Sequence, residues 1–357
     1  MKTLNAMKAM QRRLVLLGVV GAVLGGGFAA TLQGQRGGGA PQASPLRTAI
    51  YDPQQKIYYA DANDRTVRAL WVRDNVWMIV GAGGNITVQT GDDGVLVVDT
   101  GSGAATTDKV QAILRALSTK PIRYILNTNF RPDHTSGNEA MRGGGGAGAA
   151  GGRGGGGGGA RGTPIAAHES VLARMSAPTG RQAPTPTNAW PSETYYSAFH
   201  DIYFNGEGIQ MIHIPEAITD GDSLVYFRRS DVIAAGDIFL TTTYPVIDVK
   251  TGGTINGVLA GLNKLLDLCI VREKQEGGTM VIPGHGRISD EADVLEYRDM
   301  LTIVRDRIQD AIKKGRTLQQ VQTAGLTRDY DGRYGATTGP WTTAMFIEAA
   351  YQSLSKK

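Results

Sequence analysis

The sequence predicts an α/β fold, and three observations predict it. Short runs of β-branched and aliphatic residues recur through the body of the chain. Segments whose apolar residues keep helical spacing lie between them in both halves. Several of the apolar runs stop at Gly, Pro, Asp or His, where ligand sites gather in open α/β sheets.

In chain order, the first segment is set aside from the fold. Residues 1–13 are basic, with Lys2, Lys8, Arg12 and Arg13, and residues 14–30 carry no charge. Gly27-Phe28-Ala29 offers small residues for cleavage after Ala29. This pattern predicts a signal peptide over residues 1–30 and a periplasmic or secreted protein with no stable membrane association after cleavage. Arg12-Arg13 gives it a loose twin-arginine character. The competing reading is an uncleaved anchor, which the Gly25-Gly26-Gly27 run disfavours. Residues 31–65 read as a flexible linker.

The body follows from about residue 66. Runs at 76–80 and 86–88 flank a Gly-rich turn and predict a hairpin. Residues 95–98 form a buried-strand run ending at Asp99. Val110, Ile113, Leu114 and Leu117 predict a helix over 107–118, and 122–126 is the next strand. Further strands are expected at 209–214, 224–227 and 232–235, a helix at 258–268, and a strand at 280–282. From about 290 the C-terminal part is helical. Val294, Tyr297, Leu301, Val304, Ile308 and Ile312 keep helical spacing, with a stop at Gly315.

Composition narrows the function. The chain has 357 residues and a formal net charge of +4, all of it supplied by the four basic residues of the leader. A neutral mature chain argues against a nucleic-acid partner. One cysteine, Cys269, excludes an intramolecular disulfide framework and a Cys-rich zinc module. The 49 glycines are concentrated: 14 stand in residues 143–162. That tract has no large apolar side chain to offset ordering entropy and reads as a disordered insertion. No Gly-Lys-Ser/Thr ends it, so it is not a phosphate loop.

The chemistry sits at strand ends. Asp133-His134 follows the strand ending at Leu126, Gly236-Asp237 follows the one ending at Ala235, and His285 follows the one ending at Ile282. Each is expected in a loop. Two imidazoles and two carboxylates converging there suit Zn²⁺ or another borderline divalent ion.

These segments also carry a resemblance. Asn129-Phe130-Arg131-Pro132-Asp133-His134 resembles an H-x-H-x-D-H motif, Ile165-Ala166-Ala167-His168-Glu169 a second strand-end motif, and residues 215–222 a P-x-A-H-T-D-G-D motif. With Gly236-Asp237 and Pro283-Gly284-His285-Gly286, the chain from about Val67 resembles a metallo-β-lactamase-fold hydrolase. The resemblance implies a four-layer αβ/βα sandwich with metals at one edge of two sheets. It also implies seven ligand positions. Asp133, His134, Asp237 and His285 keep four of them, whereas Asn129, Arg131 and Ile218 replace three histidines of one metal site. Arg131 cannot ligate a cation and Ile218 has no donor atom.

The expected function is an exported hydrolase of a small ester, lactone or amide, β-lactams included, working with one ion. Zinc is expected, with iron or manganese as alternatives. Asp133, His134, Asp237 and His285 would hold it. Asp133 or Asp237 would handle a proton of the bound water, and Arg131 would clamp a carboxylate or an oxyanion. The alternative is a degenerate member, a pseudoenzyme in which Arg131 neutralises the leftover carboxylates and the protein only binds. Asp99 and His168 are expected as supporting residues around the ligands, His168 as a hydrogen-bonded structural histidine. His213 reads as a packed strand residue, Cys269 as a small hydrophobe and Asp222 as a turn cap. Oligomeric state is not encoded in these features.

Overall fold

The computed structural model describes residues 49–61, 63–143, 162–178, 183–274 and 277–355. The leader at 1–30, the first part of the linker and residues 144–161 of the Gly-rich tract lie outside the described residues. The linker expected over 31–65 does not extend that far. β1 (Ile50–Asp52) and β2 (Ile57–Tyr59) pair antiparallel. β2 in turn pairs with β3 (Arg68–Arg73), where burial of Tyr59 and Ala60 holds the segment to the sheet.

From there the first sheet runs in chain order through β4 (Val76–Val80), β5 (Ile86–Gly91), β6 (Gly94–Val98), β7 (Ile122–Leu126), β8 (Ile165–His168) and β9 (Glu193–Tyr195). It is antiparallel as far as β6 and parallel from β6 to β9. The parallel half needs crossovers. α1 (Ala104–Leu117) makes the first, and α2 (Pro132–Thr135) with α3 (Asn138–Arg142) begins the second. Thr163 N donates to Arg142 O at 3.1 Å, so the chain leaves α3 and returns towards β8 at one point. α4 (Glu169–Ser176) follows β8.

The second sheet comprises β10 (Phe199–Phe204), β11 (Glu207–His213), β12 (Ser223–Phe227), β13 (Val232–Leu240) and β14 (Met280–His285). β10 to β13 form an antiparallel meander, and β14 lies parallel to β13. α5 (Ile255–Leu268) is the crossover between them. α6 (Glu291–Lys313), α7 (Leu318–Thr323), α8 (Asp331–Tyr334) and α9 (Thr343–Ser355) complete the chain. α6 opens on a reciprocal Asp290–Asp293 capping box and stops before Gly315, whose φ of 72° no helix continues. Among the described residues no helix is long and apolar enough to cross a membrane.

Strand alternation sorts the core into three layers of contact. On β6, Leu96 and Val98 face inward, packing with Met78 against Met211, Val225 and Ile282 of the other sheet. Val95 and Val97 face outward under Val110, Ile113 and Leu114 of α1. On the far side, Ile233, Ala235 and Val281 lie under Val258, Leu262 and Leu265 of α5 and Leu301, Val304 and Ile308 of α6. The result is a four-layer αβ/βα sandwich. Each fully buried Val, Leu, Ile or Met among them contributes about 1.5–3 kcal/mol, so a strand buried on both faces is expensive to misplace.

Two strands run further than their apolar residues suggest. β13 continues through Gly236 and Asp237 to Leu240, and β14 through Pro283 and Gly284 to His285. Asp237 and His285 therefore stand on strands, not in loops after them. The pairing of β13 with β14 shifts register between Ala234 and Gly236 and again before Leu240. This irregular pairing explains why a Gly and a Pro-Gly can sit inside strands, and bulges of this kind re-aim side chains.

Candidate metal centre

The segment after β7 is built to present side chains. Asn129 Oδ1 accepts the backbone N–H of Arg131 at 2.9 Å, a turn that reverses the chain. Pro132 then opens α2 at the position where a missing N–H costs nothing. This single turn carries Asp133 and His134 towards β13 and β14.

There the structure brings together Asp133, His134, Asp237 and His285, with one ligand atom from each lying within 4.8 Å of the others. His285 Nε2 is 2.8 Å from Asp133 Oδ2 and 3.7 Å from Asp237 Oδ1. His134 Nε2 is 3.1 Å from Asp237 Oδ1 and 3.9 Å from Asp133 Oδ2. His134 and Asp237 are buried, and Asp133 and His285 are partly open to solvent. Two glycines let the backbone come this close. A Cβ on Gly84 would lie 2.9 Å from His134 Cε1, and one on Gly284 would lie 2.4 Å from Asp237 Oδ1.

Asp99 orients the buried imidazole. His134 Nδ1–H donates to Asp99 Oδ2 at 2.7 Å, leaving Nε2 facing the cluster. The same carboxylate accepts Thr128 N at 2.8 Å and the Thr128 hydroxyl at 2.6 Å. Asp99 has φ of 62°, a left-handed conformation that Asp tolerates better than most residues.

Arg131 approaches the same two carboxylates through their other oxygens. Its Nε lies 3.3 Å from Asp237 Oδ2 and 3.7 Å from Asp133 Oδ1, and Nη1 donates to Val246 O at 3.4 Å. Burial alone would raise both carboxyls, but their partners win. His134 and Arg131 hold Asp237 far below the usual carboxylate range. The His285 hydrogen bond and the His134 charge hold Asp133 down as well. Burial opposes a charge on His134 too, yet Asp237 and Asp99 raise its pKa well above an ordinary histidine.

The donor set fits a divalent cation. Two imidazole nitrogens and two carboxylate oxygens are the ligand chemistry of a borderline ion. The strong proton affinity of His134 between carboxylates marks a place where a cation can take over from the proton.

Other expected residues fall differently. Asn129 is fully buried, and its Nδ2 has no hydrogen-bond partner. Ile218 is fully buried in the apolar core under α5 and α6. Asp222 Oδ2 accepts the backbone N–H of Thr219 at 2.5 Å and its hydroxyl at 2.8 Å, closing the 219–222 turn. Burial raises Asp222 to about 7. His168 makes no hydrogen bond or ion pair with the four clustered residues. It ends β8, caps α4 and stacks on His213. Sequence reasoning missed Gly84, Asn85 and Val246. Asn85 Nδ2 donates to Pro283 O at 2.9 Å and Gly286 O at 3.1 Å, bracing the backbone on both sides of His285. The only sequence signal for this was the 81–85 turn, which read as a hairpin connection alone.

Fold and cluster together define a metal-binding αβ/βα sandwich. The chain belongs to the metallo-beta-lactamase superfamily, whose family model matches residues 79–285, more than half of the chain. A linear primary-alkylsulfatase from Pseudomonas sp. (strain ATCC 19151) is 24% identical over 255 residues, covering 63% of this chain and 46% of the relative. Among solved structures, the stereoselective inverting sec-alkylsulfatase Pisa1 from Pseudomonas sp. superposes with a TM-score of 0.57 at 15% identity, over 87% of this chain and 57% of that one. A metallo-beta-lactamase from Pontibacter korlensis gives a TM-score of 0.48 at 14% identity, over 66% of this chain and 99% of that one. The chain thus spans about half the length of the alkylsulfatases it matches.

Proposed function

We propose that this chain hydrolyses a small ester with one divalent cation, zinc in preference to iron or manganese, held by Asp133, His134, Asp237 and His285. One observation carries the reading: each carboxylate turns one oxygen to the imidazoles and the other to Arg131. Arg131 therefore stands where the family resemblance puts a second ion, and balances the same two acids from that side. One dication and one guanidinium would balance Asp133, Asp237 and the Asp99 carboxylate behind His134, and the partly exposed guanidinium puts a positive group on the open side of the site, which favours an anionic substrate or a developing oxyanion.

A bound cation supplies Lewis acidity and a water of lowered pKa. The chain's own residues do the rest. Asp99 fixes the His134 tautomer. Asp237, buried and ionised, holds its place between His134 and Arg131. Asp133 is the more exposed carboxylate, with 27% of its side chain accessible against 3% for Asp237, so it is the group able to take a proton and pass it to solvent. Arg131 steadies both acids and offers its charge to the substrate's acidic group.

The name of the curated relative puts alkyl sulfate esters first among substrates to test, with carboxylic esters, lactones, amides and β-lactams beside them. The basic and apolar leader of residues 1–30 supports export to the periplasm or beyond. A second reading is favoured by the Arg131 contacts themselves: the guanidinium could neutralise both carboxylates in a protein that binds without turnover. The deciding experiment measures bound metal and hydrolysis of that substrate panel with the full chain and with His285→Ala. One ion per chain and turnover at least about 100-fold lower in the variant are expected. Equal rates in both proteins, or no uptake of zinc, iron or manganese, would sink the hydrolase reading.

A further inference from the structure

Three of the chain's five histidines lie outside the candidate metal centre, and they gather at one place. His168 ends β8 of the first sheet, and His213 ends β11 of the second. Their rings are parallel to within 5° with centroids 3.6 Å apart, a stack that joins the two sheets. Tyr195 meets His168 edge-on at 5.3 Å and stacks with the third histidine, His200, at 5.6 Å.

A hydrogen bond fixes one nitrogen of each stacked ring. His168 Nδ1 accepts the backbone N–H of Ser170 at 3.3 Å, so that nitrogen carries no proton, and this contact is the N-cap of α4. His213 Nε2 lies 2.9 Å from the carbonyl oxygen of Asp220, so that nitrogen carries one. A proton added to His168 would turn its acceptor into a donor facing another N–H. It would also place a cation at the positive end of α4 and against the face of His213.

The cap holds more than a helix. A Cβ on Gly221 would lie 3.0 Å from Val171 Cγ2 and 3.2 Å from its N, so segment 215–222 rests directly on the first turn of α4. Arg174 Nη2 of α4 pairs with Asp220 Oδ2 at 2.7 Å. The same segment carries Ile218 and Asp222, and the next residue, Ser223, donates its N–H to Thr128 O at 2.8 Å, beside Asn129.

We propose that the His168–His213 stack is an acid-released clasp, holding α4 and segment 215–222 against the candidate site while His168 is neutral and freeing them when His168 takes a proton. Burial, reinforced by the neighbouring His213, already lowers His168 to about 4. The other charged and titratable groups around the stack do not replace it. Asp220 is committed to Arg174, which Asp248 also attracts. Glu169 is exposed on α4, and Tyr195 and His200 approach from β9 and β10. The sign is that of a histidine depressed by folding. The clasp is closed above the unfolded value of about 6.5 and is lost as pH falls towards 4. This inference does not depend on the proposed hydrolysis.

The test is backbone amide exchange on the full chain at pH 7 and pH 4, corrected for intrinsic rates, with and without added zinc. Segments 169–176 and 215–222 should lose protection by about tenfold or more at the lower pH, whereas β12 and β13 hold theirs. His168→Asn keeps a capping oxygen and cannot titrate, so its protection should not change with pH. Should that variant fail to fold, His213→Phe keeps a stacked ring without the like charge. It should raise the His168 titration midpoint, read by NMR, by about one unit. Acid-dependent opening that persists in His168→Asn, opening that appears only with zinc present, or an unmoved midpoint in His213→Phe would each overturn the clasp.

Discussion

Arg131 Nε lies 3.3 Å from Oδ2 of Asp237, while Oδ1 of the same carboxylate lies 3.1 Å from His134 Nε2. One buried acid thus has a fixed cation on one side and a ligand position on the other. Restoring histidine at Asn129, Arg131 and Ile218 together should add the donors the guanidinium displaces. Bound zinc per chain, measured by elemental analysis, is expected to rise from one to two. A triple variant that folds and still binds one ion would show that Arg131 does not occupy a metal position.

The bond between Asp99 and His134 should tune affinity more than fold. Asp99→Asn keeps a side chain that tolerates the left-handed backbone but loses the charged acceptor for Nδ1–H. Zinc affinity by chelator competition should fall about 10–100-fold, with little change in circular dichroism.

At the opposite role stands Glu207, a buried acid that holds structure. Its carboxylate accepts Gln89 Nε2 at 2.6 Å, the Ser230 hydroxyl at 2.7 Å, and the backbone N–H groups of Arg229 and Ser230 at 3.0 Å. Glu207→Leu orphans all four donors. Urea denaturation should show a loss of about 3–5 kcal/mol, with zinc binding retained.

Cys269 should be a silent thiol. Burial first, and then the charge of Asp231, raises it to about 12. Below pH 9 the native protein should react with iodoacetamide at least about 100-fold more slowly than the urea-unfolded chain. Equal rates would place the thiol in contact with solvent.

Much of this was legible in the chain. The unbroken apolar run at 95–98 pointed to a strand buried on both faces, and the spacing from Val294 to Ile312 pointed to α6. The grouping of Asp133-His134 with Asp237 and His285 followed from their shared place after strand ends and from the motifs that resemble those of metallo-β-lactamase-fold hydrolases. The strand ends were harder to read. Gly236 and Pro283-Gly284 look like breakers, yet the irregular β13–β14 pairing carries the strands past them. Close approaches were illegible for a different reason. Gly84 lies 50 residues from His134 in sequence, and nothing local in a Gly-rich turn says which imidazole will fill the space above it. The contact of Arg131 with Val246 and the stack of His168 on His213 likewise join elements that only tertiary packing brings together.

The hydrogen bond from Thr163 to Arg142 has a practical consequence. Arg142 and Thr163 stand side by side like the posts of a doorway, so the two ends of the sandwich's own chain already meet there. Because the entropy of closing a loop grows only slowly with its length, the span can be shortened to a few residues or exchanged for a folded tag. The join between Arg142 and Thr163 is the natural position at which to attach a reporter.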